Sequence, residues 1–208
     1  MQTLARRNLL LSLAAAPALL PTMLRAQAAQ AGLITGNVCV LAPELAEGPF
    51  YTEPALMRRD ITEGSAGTPL VMRLQVVDAA CAPITGARVD VWHCDASGVY
   101  SAFAEGGGGA AAAAQSFLRG SQMTDDLGVA SFVTIYPGWY PGRAVHVHYK
   151  IYLNTREMVT SQMFFAENVS REVYAASPIY AARGNADVPL GHACSPASRQ
   201  SCTASRAY

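Results

Sequence analysis

Five short runs rich in β-forming residues, at 71–78 (VMRLQVVD), 87–93 (ARVDVWH), 129–135 (VASFVTI), 145–153 (VHVHYKIYL) and 158–165 (MVTSQMFF), alternate in polarity with a period of two. That period puts alternate side chains on opposite faces of a strand, so each run has one face to bury. Turn chemistry separates them: Ala82-Pro83 with Gly86, Asp95 to Gly98, Asp125 to Gly128, and the Pro/Gly-rich stretch 137–142. Helical periodicity is nearly absent. The pattern predicts an all-β fold, an antiparallel β-sandwich with long loops and little helix. Residues 104–115 (AEGGGGAAAAAQ) read as a flexible surface loop, because four glycines precede the alanines. After Ser170 the chain has weak helical character up to Ala182, followed by a loop-rich tail that contains cysteines.

Charge narrows the function. Only 14% of the 208 residues are charged and 51% are hydrophobic, which favours a well-buried core over disorder. The formal net charge is zero and Lys150 is the chain's single lysine, so no basic stripe is available to neutralise phosphates. Nucleic acid is not expected as a partner.

The first residues read as an export signal. Arg6-Arg7 precedes an apolar stretch from Leu9 to Leu20, and Ala26-Gln27-Ala28 supplies a small-residue cleavage site. About twelve apolar residues are too few to cross ~30 Å of hydrocarbon, which argues against an uncleaved anchor and against a stable membrane span. The paired arginines resemble a twin-arginine signal, whose pathway carries folded, often cofactor-loaded proteins. The expected division is a signal peptide at 1–28 and a single domain at 29–208, exported to the periplasm or beyond. Cleavage there removes Arg6, Arg7 and Arg25 and no acid, leaving a mildly acidic chain. Its five cysteines, Cys39, Cys81, Cys94, Cys194 and Cys202, include no Cys-x-x-Cys pair and leave at least one unpaired. Their connectivity stays open.

The chemistry concentrates at His146 and His148. On a strand, residues i and i+2 share a face, so both imidazoles project to one side while Val145, Val147 and Tyr149 project to the other. Two imidazoles so placed can serve one metal, imidazole being the commonest metal ligand. Asp125, Asp126 and Glu157 lack the spacing of a carboxylate that completes a facial triad. Tyr140, six residues before His146, and Tyr100, at the end of another turn, offer phenols instead. Taken singly they read as core-edge tyrosines, and Arg143 as a surface charge.

Four pieces taken in order change that reading: EGPFY (47–51), PITGARVDVWHCDASGVYS (83–101), FLRGSQMTDDLGVASFVTIYPGWYPGRAVHVH (117–148) and SQMFF (161–165). Together they resemble the intradiol ring-cleavage dioxygenases, the family of catechol 1,2-dioxygenase and protocatechuate 3,4-dioxygenase. The resemblance implies an Fe(III) ion held by Tyr100, Tyr140, His146 and His148, with Arg143 and Gln162 beside the bound substrate. It implies a small aromatic diol and O2 as partners, with the ring opened between the two hydroxylated carbons to a cis,cis-muconate-type product. Tyr140 would leave the metal and take a diol proton. Two phenolates are hard anionic donors suited to a highly charged ion, and such an ion lowers the phenol pKa from ~10 far enough to ionise it.

His93 and His192 have no ligand counterpart, and His93 is expected to be a packed or hydrogen-bonded strand residue. Tyr51 fits either the substrate mouth or a structural role in its turn. About forty residues separate the signal from the first core strand, too few for the helical dimerisation region of catechol-type members. Oligomeric state is therefore left open. Two other readings remain at this point: a non-catalytic exported β-sandwich binding module, since a sandwich alone implies no activity, and a copper or zinc protein using only the His-x-His pair.

Overall fold

The structure, a computed structural model, describes residues 42–53 and 56–190. The export signal, Cys39, Cys194, Cys202 and His192 lie outside the described residues. Among the described residues, six strands form two antiparallel sheets. Strands β1 (Pro69–Gln75) and β4 (Val129–Ile135) pair over their whole length, from Pro69 opposite Ile135 to Gln75 opposite Val129. The larger sheet has the order β3-β2-β5-β6, built from β2 (Arg88–Trp92), β3 (Arg119–Met123), β5 (His146–Leu153) and β6 (Arg156–Phe164).

The core lies between the two sheets. Met72, Ala130 and Phe132 from one meet Val89, Val91, Val147 and Tyr149 from the other in a single buried cluster. Each fully buried aliphatic or aromatic side chain there stabilises the fold by about 1.5–3 kcal/mol relative to exposure. Period-two alternation then fixes the opposite face of the larger sheet. Asp90 and Trp92 on β2, His146, His148 and Lys150 on β5, and Gln162 on β6 all project away from the core cluster. They are nonetheless buried, because other segments cover them.

One cover was not foreseen. Residues 43–51 cross the outer face as an irregular strap: Leu45 N donates to Thr160 O at 2.9 Å, Ser161 Oγ donates to Pro43 O at 2.6 Å, and Tyr51 Oη donates to Asp90 Oδ2 at 3.0 Å. The strap thus runs from β6 over β5 to β2.

Three expectations are corrected. Strand β3 (RGSQM) carries no apolar alternation, so periodicity misses it. It forms because β2 needs a partner on its second edge and because Gly120 lets the backbone close on Ile61, where a Cβ would lie 2.7 Å from Ile61 Cγ2. Residues 104–115 are not a featureless loop: a 3-10 turn (Ala104–Gly106) leads into helix α1 (Gly109–Ala113). Gly107 and Gly109 take positive φ, which makes the turn, and the alanines that follow have the best helix propensity. Helix α2 (Glu167–Ala176) begins before Ser170, with Ser170 and Tyr174 on its buried face, and the short α3 (Pro178–Ala181) follows. Tyr174 Oη donates to Pro137 O at 3.0 Å, and Ser170 Oγ and Tyr136 Oη share a hydrogen bond at 2.7 Å, so tertiary contacts secure what the sequence pattern signals only weakly.

Cys81 is disulfide-bonded and Cys94 is a buried free thiol. Among the described residues no helix is long and apolar enough to cross a membrane.

Candidate metal centre

His146 and His148 stand two residues apart on β5, and their Nε2 atoms face each other at 2.9 Å. His146 Nδ1 lies 2.6 Å from Ala144 O. A carbonyl only accepts, so Nδ1 carries the proton and the Nε2 lone pair points inward. Tyr140 Oη lies 3.4 Å from that same Nε2. Tyr100 stands edge-on to Tyr140, with ring centroids 5.6 Å apart, and its ring lies 6.3 Å from that of His148. Three polar atoms are left orphaned and buried here, Tyr100 Oη, His148 Nδ1 and the Nε1 of Trp92 stacked on His148; only the Tyr100 hydroxyl bears on a metal, because His148 would donate through Nε2. Orphans of this kind are costly in an interior and call for a partner.

The electrostatics suit a cation. Burial, reinforced by the charge of Arg143, pushes the His146 imidazole down to about 3. Burial, then His146 and Arg143, holds His148 well below the usual histidine range. Both rings are therefore neutral at physiological pH, the form that donates to a metal. Burial pushes both phenols the other way, Tyr100 strongly, while Arg143 opposes the rise at Tyr140. A cation at the point where the four side chains meet reverses the sign for the phenols. Among the described residues no group of three or more His, Cys, Asp and Glu converges, so a metal in this place depends on the tyrosines. The donor set fits a hard, highly charged ion.

The structure brings all six sequence-predicted site residues together. Arg143, half-buried in the turn before β5, donates from Nη1 to Tyr140 Oη at 3.3 Å and from Nη2 to Gln162 Oε1. Gln162 sits opposite His148 in the β5–β6 register and donates from Nε2 to Ala46 O at 2.7 Å, which ties Arg143 to the strap. His93 is where it was expected, hydrogen-bonded to Cys94 O and Thr134 Oγ1 and buried away from the donors. Tyr51 takes the structural option: its hydroxyl bonds Asp90 and Tyr152, and its ring packs against Trp92.

Sequence reasoning missed four contributors. Phe50 stacks on Tyr100 with centroids 4.4 Å apart, and Trp92 stacks on His148 at 4.9 Å, so a ring backs each of these ligand candidates. Gly48, at φ +75°, approaches so closely that a Cβ would lie 3.2 Å from His148 Cε1. Arg119, buried, donates to Ser101 Oγ, Ser101 O and Phe50 O, joining the loop after Tyr100 to the strap. The Gly-Pro pair in EGPFY and an arginine inside a glycine-containing strand were the only signals for the last two.

The profile of a family described as Dioxygenase matches residues 46–186. The chain belongs to the intradiol ring-cleavage dioxygenase family. Among solved members, an intradiol ring-cleavage dioxygenase from Tetranychus urticae is 37% identical, covers 69% of this chain and 74% of its own, and superposes with a TM-score of 0.63. The dioxygenase domain of a dioxygenase carbohydrate-binding fusion from Streptomyces sp. SirexAA-E is 32% identical over 60% of this chain and 74% of its own, with a TM-score of 0.51. Catechol 1,2-dioxygenase of Acinetobacter baylyi is 27% identical over 156 residues, 64% of this chain and 47% of the relative. This intradiol-family chain therefore spans about half the length, or less, of the curated relatives it matches. The strap from residue 46 onward, the Tyr100 loop, the His-x-His strand and β6 fall inside the matched stretch.

Proposed function

We propose that this chain is a non-haem Fe(III) dioxygenase that cleaves a catechol-type diol between its two hydroxylated carbons with O2, giving a cis,cis-muconate-type product. The observation that carries the proposal is that His146 Nε2 lies 3.4 Å from Tyr140 Oη and 2.9 Å from His148 Nε2, beside the orphaned hydroxyl of Tyr100. These four residues would hold the ion, which when bound supplies a chelation point for both diol oxygens and activates the ring toward O2.

The chain's own residues do the rest. Tyr140, half-buried and hydrogen-bonded by Arg143, is placed to accept a diol proton at Oη. Arg143 lies beside Tyr140, so its guanidinium can stabilise negative charge developing on the substrate. Gln162 fixes the guanidinium from one side and the strap from the other. Phe50 and Trp92 wall the donors with apolar rings, which lowers the local dielectric and strengthens every charge interaction within.

A binding module has no need of four metal-competent donors buried together, and a zinc or copper site on the His-x-His pair alone leaves the position of Tyr140 without a purpose. The direct test is turnover. Iron-loaded protein supplied with catechol, protocatechuate or hydroxyquinol is expected to consume one O2 per diol and release an acyclic diacid. Stoichiometric iron with no oxygen uptake on any catechol would overturn the assignment.

The proposal extends to the precursor: residues 1–28 act as a twin-arginine signal, and residues 29–208 form one catalytic unit that works outside the cytoplasm. Replacing Arg6 and Arg7 together by lysine is expected to leave the precursor in the cytoplasm. Normal export of that variant points to a general secretory signal instead.

A further inference from the structure

The chain's single lysine is buried beneath the strap. Lys150 lies two residues beyond His148 on the same face of β5, with its side chain 6% exposed. Its ammonium pairs with Glu47 of the strap and, at 3.0 Å, with Glu157 at the start of β6. It also sits 4.2 Å from the ring centroid of Tyr51, a second strap residue. At its ends the strap is tied by single hydrogen bonds, among them Ser161 Oγ to Pro43 O and Tyr51 Oη to the Asp90 carboxylate. At its centre, over β5, the tie is ionic. The residue after Glu47 is Gly48, which closes on His148, and two further on is Phe50, which stacks on Tyr100.

We propose that Lys150 is a positioning residue: by gripping Glu47 it seats the strap so that Gly48 packs on His148 and Phe50 on Tyr100, and so governs how long a metal stays in the site. The part concerning metal retention rests on the reading of the four donors given above. The seating of the strap does not.

The two carboxylates on Lys150 separate the idea from a general structural role. Only one of them belongs to the strap. Glu47→Gln is expected to speed removal of iron from the loaded protein by a chelator roughly fivefold, the scale of a partly exposed ion pair. Glu157→Gln, which weakens the lysine's surroundings to a similar extent but leaves the strap tied, is expected to match wild type. Lys150→Met is expected to behave as Glu47→Gln, and Lys150→Arg to restore retention.

A second readout needs no metal. Acetylation of the full-length chain by N-hydroxysuccinimidyl acetate, followed at Lys150 by mass spectrometry, is expected to be slow in wild type and in Glu157→Gln and several-fold faster in Glu47→Gln. Equal acceleration by the two glutamate variants, or none by either, overturns the proposal. If the protein takes up no iron, the acetylation rates alone decide whether the clamp exists, and the metal reading fails separately. If Lys150→Met does not fold, the two glutamate variants carry the comparison.

Discussion

Replacing His146 or His148 by alanine is expected to abolish iron binding and visible colour together. The Nε2 atoms lie 2.9 Å apart on a rigid central strand, and no other His, Cys, Asp or Glu side chain among the described residues joins them to take over a lost position. Changing groups that merely support a ligand already costs about 10–100-fold in metal affinity. Loss of the ligand itself exceeds that. Tyr140→Phe should differ in kind: it removes the donor assigned to leave when the diol binds, so part of the iron persists with an altered spectrum while turnover falls sharply. Iron content and a visible spectrum, taken on each purified variant, check the set. Full iron with an unchanged spectrum in His148→Ala would place the metal elsewhere.

The second large effect falls on Arg143. Arginine is always protonated and cannot donate to a metal, so Arg143→Ala is expected to keep iron and colour. Its guanidinium is nevertheless in hydrogen-bond reach of Tyr140 Oη. Losing a preorganised donor of that kind costs about 2 to 4 kcal/mol of transition-state stabilisation, read as a fall in kcat/KM. Gln162→Ala should weaken turnover by the same route, because its Oε1 accepts from Arg143. The two changes together should cost less than the sum of each alone, since both remove one contact. An Arg143→Ala protein without iron, or with full activity on the best diol, would show the residue is structural.

The parts of this molecule that were legible in its sequence are those where one face of a strand is buried. Val129–Ile135 pairs over the very residues its alternation marks, and β5 turns both histidines outward because Val147 and Tyr149 must turn in. The six predicted site residues meet because β5 and β6 are neighbours in register and the turns at 95–100 and 137–143 close over the same sheet face. What escaped was set by tertiary context. Strand β3 is made of Arg, Gly, Ser, Gln and Met, and only pairing with β2 makes it a strand. The glycine–alanine segment folds because Gly106 packs on Tyr100, with Tyr100 N donating to Gly106 O at 2.9 Å. The strap has no regular structure for periodicity to register. Its importance comes from what lies beneath it.

Protein purified from an iron-replete host is expected to be red-brown, with about one iron per chain and a broad visible band from two tyrosinates bound to Fe(III), as two phenolates and two imidazoles favour. Metal analysis and a visible spectrum on one sample make the measurement. A colourless protein with its site filled by zinc would contradict it.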